Sequence, residues 1–351
     1  MATSFAVRTA GYANDPQPRR ADPARLQSLA GRTMGTSWSL RFDNPSMLAM
    51  ERVREAVQAV LDRVIAQMSS WEPDSALSRF NRAAPGSRHV LDVEFATVLA
   101  AALDWAAASG GALDPTVGAL VGLWGFGADA ADADPGDVHP PSAGELAEAR
   151  ARVGWQRLAF DRESRTLLQP GGVRLDLSGI AKGYAVDAVA DALAALGIEA
   201  ALVEIGGELR ALGRRPGGLP WQVLVDGAAG GRIALAQMAI ATTGDRWHRR
   251  THAGRSWSHT LDPRCGEPTA HALASVTVLH PRCMHADALA TVLMVLGPKE
   301  GMAFARRHGI AALLQCRDGG HRGDGGNGCD AGEGSWRLLA SPSWPGAAAP
   351  P

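Results

Sequence analysis

The chain has 351 residues, 46% of them hydrophobic, which is enough for one large domain or two with a sizeable core. Its 35 Lys and Arg residues nearly balance its 36 Asp and Glu residues, and a formal net charge of -1 does not indicate a protein that binds nucleic acid or a membrane surface. No apolar run reaches membrane-spanning length, so the sequence predicts no transmembrane segment.

The amino-terminal segment, residues 1–30, is polar and rich in proline, and we predict a flexible lead-in there. It has no hydrophobic stretch of signal-peptide length, so we expect a cytoplasmic protein with reduced thiols. The four cysteines form no CxxC pair and have no zinc-ligand spacing, and Cys316 and Cys329, which flank the Gly-rich loop, could pair if the protein were exported.

The first half of the chain combines strand and helix patterns. Residues 33–42 (TMGTSWSLRF) alternate like a strand, whereas the apolar positions of residues 47–68 recur at the three- and four-residue steps of a helix. The other elements predicted in this half are helices at about 93–109 and 142–153 and strands near 155–160, 165–169 and 172–176.

The second half is predicted to be mainly β, between long helices. Residues 178–197 are predicted as a helix that begins at Ser178 and ends at Gly197. A block of short strands follows, and then a helix that contains Asp287. The last predicted elements are a helix at about 298–308, a Gly-rich disordered loop at 316–334 and a strand at 336–340 before a flexible tail. This pattern predicts an α+β fold with long helices set against mainly antiparallel strands.

Asp287 stands in the apolar stretch HADALATVLMVLG (285–297), four residues before Thr291, so a helix would place both on one face. An unpaired carboxylate in such surroundings is unfavourable. One interpretation is a helix N-cap, in which the carboxylate accepts the N–H of Leu289 or Ala290. The other is a magnesium site, in which Asp287 and Thr291 supply oxygens and a backbone carbonyl completes the set. The spacing alone leaves both open.

The stretch DLSGIAKGYAVD (176–187) predicts a tight turn followed by a helix, with Lys182 one turn in. The free N–H groups of a helix N-terminus suit a phosphate, although a capped helix with ordinary surface charges fits the motif as well. Further on, a Gly-Gly pair at 206–207 interrupts a strand pattern between Glu204 and Glu208, which indicates a bulge or the close approach of a ligand. P-loop and GxGxxG spacings are absent from these motifs, so we predict no Rossmann fold.

The stretch SHTLDP (258–263) places His259 and Asp262 in a strand that runs into a turn. Histidine titrates near neutrality and is a natural general base. An inert surface histidine is the alternative, and HRRTH (248–252) has the pattern of an exposed cluster of that kind.

Taken in order, these motifs resemble one family, the ApbE-type FAD:protein FMN transferases. The matching segments run from about residue 31 to 315: GRTMGTSWSL, MSSWEPDSALSRFN, LDPTVGALVGLWGFG, LDLSGIAKGYAVD, VEIGGELRALG, ATTGDRWHR, WSHTLDPRCGEP, and SVTVLH with ADALATVLMVLG. The resemblance therefore implies one ApbE-like flavin transferase domain at 31–315, with the flavin site between its two halves. The Gly-rich loop at 316–334 and residues 335–351, with the last strand and tail, lie outside it.

The resemblance also implies a reaction. FAD binds with Mg²⁺, a threonine or serine hydroxyl of a target protein attacks the phosphorus on the FMN side of the diphosphate, and AMP leaves. The implied metal ligands are Asp287, Thr291 and the carbonyl of Gly179, and the implied catalytic residues are His259, as the proton acceptor, and Asp287. The flavin contacts carried over by position are Met34, Trp71, Leu113, Asp114, Asp176, Lys182 and Leu261. The implied partner is a target protein with a Ser/Thr acceptor motif, a subunit or domain of a redox complex.

The sequence differs from the family's pattern in two respects, and two alternative functions stay open. Trp71 stands where the family often has tyrosine, which changes the ring but keeps an aromatic plane. Many relatives are exported or lipid-anchored, whereas this chain has neither a signal region nor a lipobox cysteine; a different true N-terminus would make it periplasmic or membrane-associated. The alternative functions are an FAD pyrophosphatase that gives FMN and AMP, and an FAD-binding protein without turnover.

Overall fold

The computed structural model describes residues 26–128, 138–225, 231–245, 249–317 and 336–345. Most of the predicted lead-in and of the predicted Gly-rich loop lies outside these residues. The described helices are α1 (Met50–Met68), α2 (Ala76–Asn81), α3 (Val93–Ala108), α4 (Gly118–Leu123), α5 (Ala143–Arg150), α6 (Ala181–Ala195) and α7 (Cys283–Arg307).

The described strands are short apart from the two that open the sheet and the one before α7. They are β1 (Leu26–Thr33), β2 (Thr36–Asp43), β3 (Arg88–Val90), β4 (Ala159–Asp161), β5 (Thr166–Leu168), β6 (Ala201–Ile205), β7 (Glu208–Leu212), β8 (Trp221–Leu224), β9 (Arg232–Leu235), β10 (Ala239–Gly244), β11 (Arg249–His252), β12 (Arg255–Ser258), β13 (Leu261–Asp262), β14 (Glu267–Pro268), β15 (Leu273–His280), β16 (Ala311–Arg317) and β17 (Trp336–Ala340).

The largest sheet has the strand order β1-β2-β6-β7-β10-β15-β16-β17. Its β1–β2, β2–β6, β6–β7, β7–β10 and β16–β17 pairs are all antiparallel. The α+β class predicted from the sequence, with long helices and mainly antiparallel strands, is therefore confirmed.

The chain divides into two compact units. The first comprises Met1–Val64, Ile180–Thr242 and Thr277–Asp287. Within it, α6 packs on β6 and β7. The side chains that α6 buries, such as Val186, Val189 and Leu193, follow the helical period, and the strands contribute alternate residues such as Val203 and Ile205. This packing anchors the start of α6, where the predicted Lys182 site lies.

The second unit comprises Ile65–Gly179, Thr243–Val276 and Ala288–Pro351. It contains the three-stranded sheet β3-β5-β4 and the hairpins β11–β12 and β13–β14. A buried cluster around Trp124 and Trp257 packs α4 against this β region, with the two indole rings edge to face at 5.9 Å. The ring nitrogen of Trp124 donates a 2.8 Å hydrogen bond to the Gly266 carbonyl. This cluster supports the loop that carries His259.

Several element boundaries differ from the sequence predictions. Strand β1 begins at Leu26, so residues 26–30 belong to the sheet and not to the flexible lead-in. Helix α6 begins at Ala181 instead of Ser178, because Asp176 Oδ1 accepts the N–H of Ser178 at 2.8 Å and its hydroxyl at 2.5 Å and so forms a turn. The strand predicted at 172–176 is reduced to one bridge between Val117 and Arg174.

Segment α7 consists of two helical stretches that meet at a kink, in agreement with the two helices that the sequence predicts. The kink lies at Gly297, whose backbone is non-helical with φ 75°, directly before Pro298. Among the described helices, α7 is the one whose length and apolar content are compatible with a membrane span, but 67% of the relevant window is buried inside the protein, as in a core helix. The domain boundaries 31–315 stay a prediction.

Candidate functional site

Asp287 lies on the second turn of α7, so the N-cap interpretation is wrong. The residue is 3% exposed, and its Oδ2 accepts the backbone N–H of Gly183 at 2.9 Å. Gly183 is the third residue of α6, where a helix leaves N–H groups without intrahelical partners. A carboxylate from α7 therefore caps the N-terminus of α6.

Lys182, next to Gly183, donates a 2.7 Å hydrogen bond from Nζ to Oε1 of Glu208 on β7. The Glu208 side chain is 4% exposed, and its Oε2 is buried without a hydrogen-bond partner among the described residues. The interpretation of this motif as a helix with ordinary surface charges is therefore wrong, since the lysine pairs with a buried acid.

The charges of this cluster perturb one another. Burial, and then repulsion from Glu208, raise the pKa of Asp287 to about 7 even though Lys182 and the Gly183 N–H favour its charged form. Burial also raises the pKa of Glu208 against the opposing effect of Lys182. For the Lys182 ammonium, burial works against the charge, but attraction to Glu208 and Asp287 outweighs it and raises the pKa. The cluster therefore combines two buried carboxyl groups with one ammonium group.

Two turns lie close in this part of the first unit. Met34 (φ 48°) and Gly35 (φ 70°) form the two-residue turn between β1 and β2, with the positive φ angles of a tight hairpin. The predicted irregularity at Gly206 is the turn between β6 and β7, where φ is 62° and a Cβ would lie 3.0 Å from the Thr36 side chain. Glycine at 206 thus permits the close approach of the first hairpin, which carries the predicted flavin contact Met34.

In the second unit, the structure brings together several predicted site residues. The Asp176 N–H donates a 2.8 Å hydrogen bond to the carbonyl of Pro115, the residue that follows Asp114. Three residues beyond Asp176, a Cβ built on Gly179 would lie 3.0 Å from Oγ1 of Thr291. Glycine at 179 therefore leaves room beside the Thr291 hydroxyl, as expected if both belong to one ligand set.

The carboxylate of Asp114 is occupied within the protein. Oδ1 accepts the N–H and the hydroxyl of Thr116, at 2.8 and 2.6 Å, and Oδ2 accepts the Trp155 N–H at 3.0 Å. Burial raises the pKa of Asp114, although these hydrogen bonds oppose the increase. Asp114 and the buried Leu113 therefore shape the loop, and a flavin contact of this loop stays a prediction.

Trp71 follows α1 in a turn in which Ser69 Oγ accepts the N–H groups of Trp71 and Glu72, at 3.1 and 3.2 Å. Its indole is 58% exposed. Exposure of a ring held on a hydrogen-bonded turn is what a stacking platform needs.

His259 lies in the two-residue gap between β12 and β13, and not within a strand as predicted. Its ring is half-buried and meets Phe126 edge to face at 6.2 Å. The predicted neighbour Asp262 is engaged by Arg264, with 2.8 Å between Nε and Oδ1 and 2.7 Å between Nη2 and Oδ2. Leu261, the least secure of the carried-over contacts, is 6% exposed.

No cluster of three or more His, Cys, Asp or Glu side chains is arranged to hold a metal ion within the described part of the chain. The predicted Mg²⁺ site has another donor set, namely one carboxylate, one hydroxyl and one carbonyl. Two observations fit that set: a buried carboxylate whose charge Lys182 only partly compensates, and the space that Gly179 leaves beside Thr291. Hard oxygen donors of this kind suit Mg²⁺.

The sequence reasoning missed two residues of this region as site residues. The sequence places Glu208 beside the Gly-Gly pair, but nothing in its spacing indicates the contact with Lys182. Asp187, the last residue of the DLSGIAKGYAVD motif, accepts the N–H groups of Cys283 and Met284 at 3.0 Å each. The signal for Asp187 was its four-residue spacing from Gly183, which places both on one face of α6.

Comparison with known proteins agrees with this fold and these motifs. An FAD:protein FMN transferase of Haemophilus influenzae is 38% identical over 306 residues, covering 84% of this chain and 87% of that protein. The apo crystal structure of the Pseudomonas stutzeri flavinyl transferase ApbE matches with a TM-score of 0.80 and 36% identity, over 91% of this chain and 95% of that one. A Vibrio cholerae flavin transferase ApbE matches with a TM-score of 0.78 and 35% identity, over 91% and 98%.

The class that the fold and these relatives define is that of the flavin transferases, which confirms the enzyme class predicted from the sequence. The ApbE family model matches residues 34–314. The chain belongs to the ApbE family. The roles of the individual site residues, and the place of the flavin relative to the two units, stay predictions.

Proposed function

We propose that this protein transfers FMN from FAD to a threonine or serine hydroxyl of a target protein in a Mg²⁺-dependent reaction that releases AMP. Family membership supports flavin transfer. The observation that most supports the finer proposal is the buried Asp287 carboxylate, which lies beside Lys182 and has a pKa raised to about 7 by burial and by Glu208.

Asp287 and Thr291 are proposed as side-chain ligands of Mg²⁺, with the carbonyl of Gly179 as the third. Thr291 follows Asp287 by one helical turn of α7, so both can present oxygens from the same helix face. Bound there, Mg²⁺ would neutralise charge on the FAD diphosphate. Its presence would also compensate the buried negative charge of Asp287 and Glu208.

Other residues of the chain are proposed to bind the diphosphate and the flavin. Lys182 is proposed to balance diphosphate charge while Glu208 holds its ammonium in place. Trp71 is proposed to stack on an FAD ring, and Met34, Leu113, Asp114, Asp176 and Leu261 to line the flavin site.

His259 is proposed to accept the proton of the attacking hydroxyl. The hydroxyl oxygen forms a bond to the phosphorus on the FMN side, the bond from that phosphorus to the bridging oxygen breaks, and AMP leaves with that oxygen. FMN remains on the target through a phosphoester. The imidazole of His259 carries the proton that the hydroxyl loses. No atom changes its oxidation state in this step, so it needs no oxidant or reductant.

The acceptor is proposed to be a protein segment with a short Asp…Ser/Thr-Gly-Ala-Thr/Ser motif, in a subunit or domain of a redox complex. The deciding experiment is intact mass spectrometry after mixing the full chain, FAD, Mg²⁺ and a small domain that carries this motif. A matched target in which the acceptor Ser/Thr is replaced by alanine is the control.

We expect the target to gain the mass of one FMN phosphoester as AMP appears, and we expect the alanine control to stay unmodified. Free FMN and AMP beside an unmodified target would instead identify an FAD pyrophosphatase. Intact FAD with a panel of acceptor domains would identify an FAD-binding protein, and either result would overturn the proposal.

A further inference from the structure

Asp187 on α6 is a fully buried carboxylate among four hydrogen-bond donors. Its Oδ1 accepts the Cys283 N–H at 3.0 Å and Nη1 of Arg210 at 3.0 Å. Its Oδ2 accepts the Met284 N–H at 3.0 Å and lies 3.3 Å from Nε of Arg282. The two arginines supply the positive charge that a buried carboxylate needs.

The two backbone donors are the first residues of α7. A helix leaves the N–H groups of its first turn without intrahelical partners, and a carboxylate at this end also interacts favourably with the helix dipole. Asp187, a residue of α6, thus caps the N-terminus of α7, a role that usually belongs to the residue directly before the helix. It fixes where α7 begins relative to α6.

Asp287 on α7 makes the reciprocal contact, because it accepts the N–H of Gly183 in the first turn of α6. Gly183 precedes Asp187 by one turn on α6, and Cys283 precedes Asp287 by one turn on α7. At Gly183 the helices nearly touch, because a Cβ there would lie 2.4 Å from the Cys283 carbonyl oxygen and 2.8 Å from Cβ of Asp287. Each helix therefore receives its N-terminal cap from an aspartate of the other.

We propose that Asp187 is a positioning residue for the transferase site. By fixing the first turn of α7, it holds the Asp287 carboxylate at Gly183, in the orientation from which it would bind Mg²⁺. The inference rests on the proposed function, because it assigns Asp287 to the metal. Asp187 itself touches neither the metal nor the substrate in this scheme; it acts through α7.

Asp191 offers a matched control. It lies one turn after Asp187 on α6 and binds the same two arginines, with 2.9 Å from Oδ1 to Nη1 of Arg210 and 3.0 Å from Oδ2 to Nη1 of Arg282. Its side chain is 51% exposed. Replacing Asp191 removes a charge from the same ion-pair network and leaves the capping of α7 intact.

The test uses the full chain as wild type, Asp187→Asn and Asp191→Asn. Mg²⁺ binding is measured by isothermal titration calorimetry without FAD or target, and FMN transfer is measured against Mg²⁺ concentration. Asparagine keeps the size of the side chain but replaces one acceptor oxygen by a donor that faces other donors. Residues that support a metal ligand typically change metal affinity by about 10- to 100-fold when replaced.

We expect Asp187→Asn to weaken Mg²⁺ binding by at least about tenfold, and saturating Mg²⁺ to restore most of the transfer rate, since the ligands themselves remain. Asp191→Asn should bind Mg²⁺ like the wild type. Equal affinities of wild type and Asp187→Asn would overturn the inference, as would a lowered maximal rate with unchanged Mg²⁺ affinity. A wild type that neither binds Mg²⁺ nor transfers FMN would instead refute the proposed function.

A milder variant covers the case in which Asp187→Asn does not fold, as judged by circular dichroism. Arg282→Gln removes one of the two arginines that hold the buried Asp187 carboxylate, and so loosens its two capping hydrogen bonds without removing them. It should weaken Mg²⁺ binding in the same direction by a smaller factor, whereas Asp191→Asn should not. Identical Mg²⁺ affinity of Arg282→Gln and wild type would then overturn the inference.

Discussion

The Gly183 N–H donates to Oδ2 of Asp287 across 2.9 Å, from the first turn of one helix to the second turn of another. This hydrogen bond joins the AKGY segment to the ADALAT segment across 104 positions of the chain. It holds a buried carboxylate whose charged form is favoured by attraction to Lys182. The predictions below depend on which groups compensate the negative charge of Asp287.

Replacement of Asp287 by alanine should abolish Mg²⁺-dependent transfer, with a loss on the order of 10²-fold or more, because the charged ligand of the proposed site is gone. FAD binding should weaken much less, since the proposed flavin contacts come from other segments. Initial rates by mass spectrometry and FAD affinity by fluorescence quenching check this. Asp104→Ala, which removes an exposed surface carboxylate paired with Arg162, is the control. Full activity of Asp287→Ala would remove Asp287 from the metal site.

Stability without metal should depend on pH through Asp287. Its pKa in the folded protein, about 7, lies above the ordinary value of 3.8, so the folded state binds the proton more tightly than the unfolded state. The free energy of unfolding should therefore fall as pH rises from about 4 to about 7. Thermal melts in EDTA measure this slope, and Asp287→Asn should reduce it without removing it, because the pKa values of Glu208 and Asp114 are raised as well. An unchanged slope in Asp287→Asn would assign the pH dependence to those other groups.

The same proton should compete with Mg²⁺. Binding of the cation requires the ionised carboxylate, so Mg²⁺ affinity should increase by up to about tenfold per pH unit below 7 and level off above it. Calorimetric titrations at pH 6, 7 and 8 check this expectation. Affinity that does not vary across this range would show that Asp287 is already ionised or is not a ligand.

The contact of α6 with α7 should tolerate no side chain at position 183. A Cβ there would lie 2.4 Å from a backbone carbonyl oxygen, which cannot move aside as a flexible side chain can. Gly183→Ala should lower the free energy of unfolding by about 1–3 kcal/mol and weaken Mg²⁺ binding. Gly144→Ala on α5, where a Cβ meets nothing within 4 Å, should be neutral or slightly stabilising. Chemical denaturation compares the two, and equal stabilities would contradict the close packing.

His259 is expected to act in catalysis and not in binding. His259→Ala should slow transfer by about 10²-fold or more, as for the loss of a general base, while FAD affinity stays close to that of the wild type. The exposed His139, replaced by alanine, serves as the control. Single-turnover rates and FAD titrations separate the two effects. An unchanged rate would remove His259 from the mechanism.

Trp71 is expected to contribute to FAD affinity through its ring. Trp71→Ala should weaken FAD binding by about three- to tenfold, which corresponds to roughly 0.5–1.5 kcal/mol for an aromatic pair. Trp71→Tyr should retain most of the affinity, since the aromatic plane remains. Val93→Ala, at another exposed apolar position, controls for general surface effects. Equal FAD affinities of Trp71→Ala and wild type would show that the indole does not stack on the flavin.

Much of the architecture was predictable because it is written in local patterns. The helices predicted at 47–68 and at about 93–109 correspond to α1 (Met50–Met68) and α3 (Val93–Ala108), and the alternation at 33–42 corresponds to β2 (Thr36–Asp43). The family resemblance depended on short motifs kept in order. A predicted helix boundary was wrong where a side chain competes with the helix for backbone hydrogen bonds. Ser178 was predicted to begin a helix, but the Asp176 carboxylate takes its N–H and hydroxyl and delays the helix to Ala181.

By itself, the sequence determined the α+β class, the ApbE family and the residue types available for an oxygen-rich metal site. The tertiary structure decided what Asp287 contacts. Neither spacing nor periodicity can show that the Gly183 N–H meets that carboxylate, that Glu208 pairs with Lys182, or that Asp187 caps α7. These contacts join residues far apart in the chain, and they exist because α6 and α7 pack closely enough for each to supply the hydrogen bonds that the other's first turn lacks.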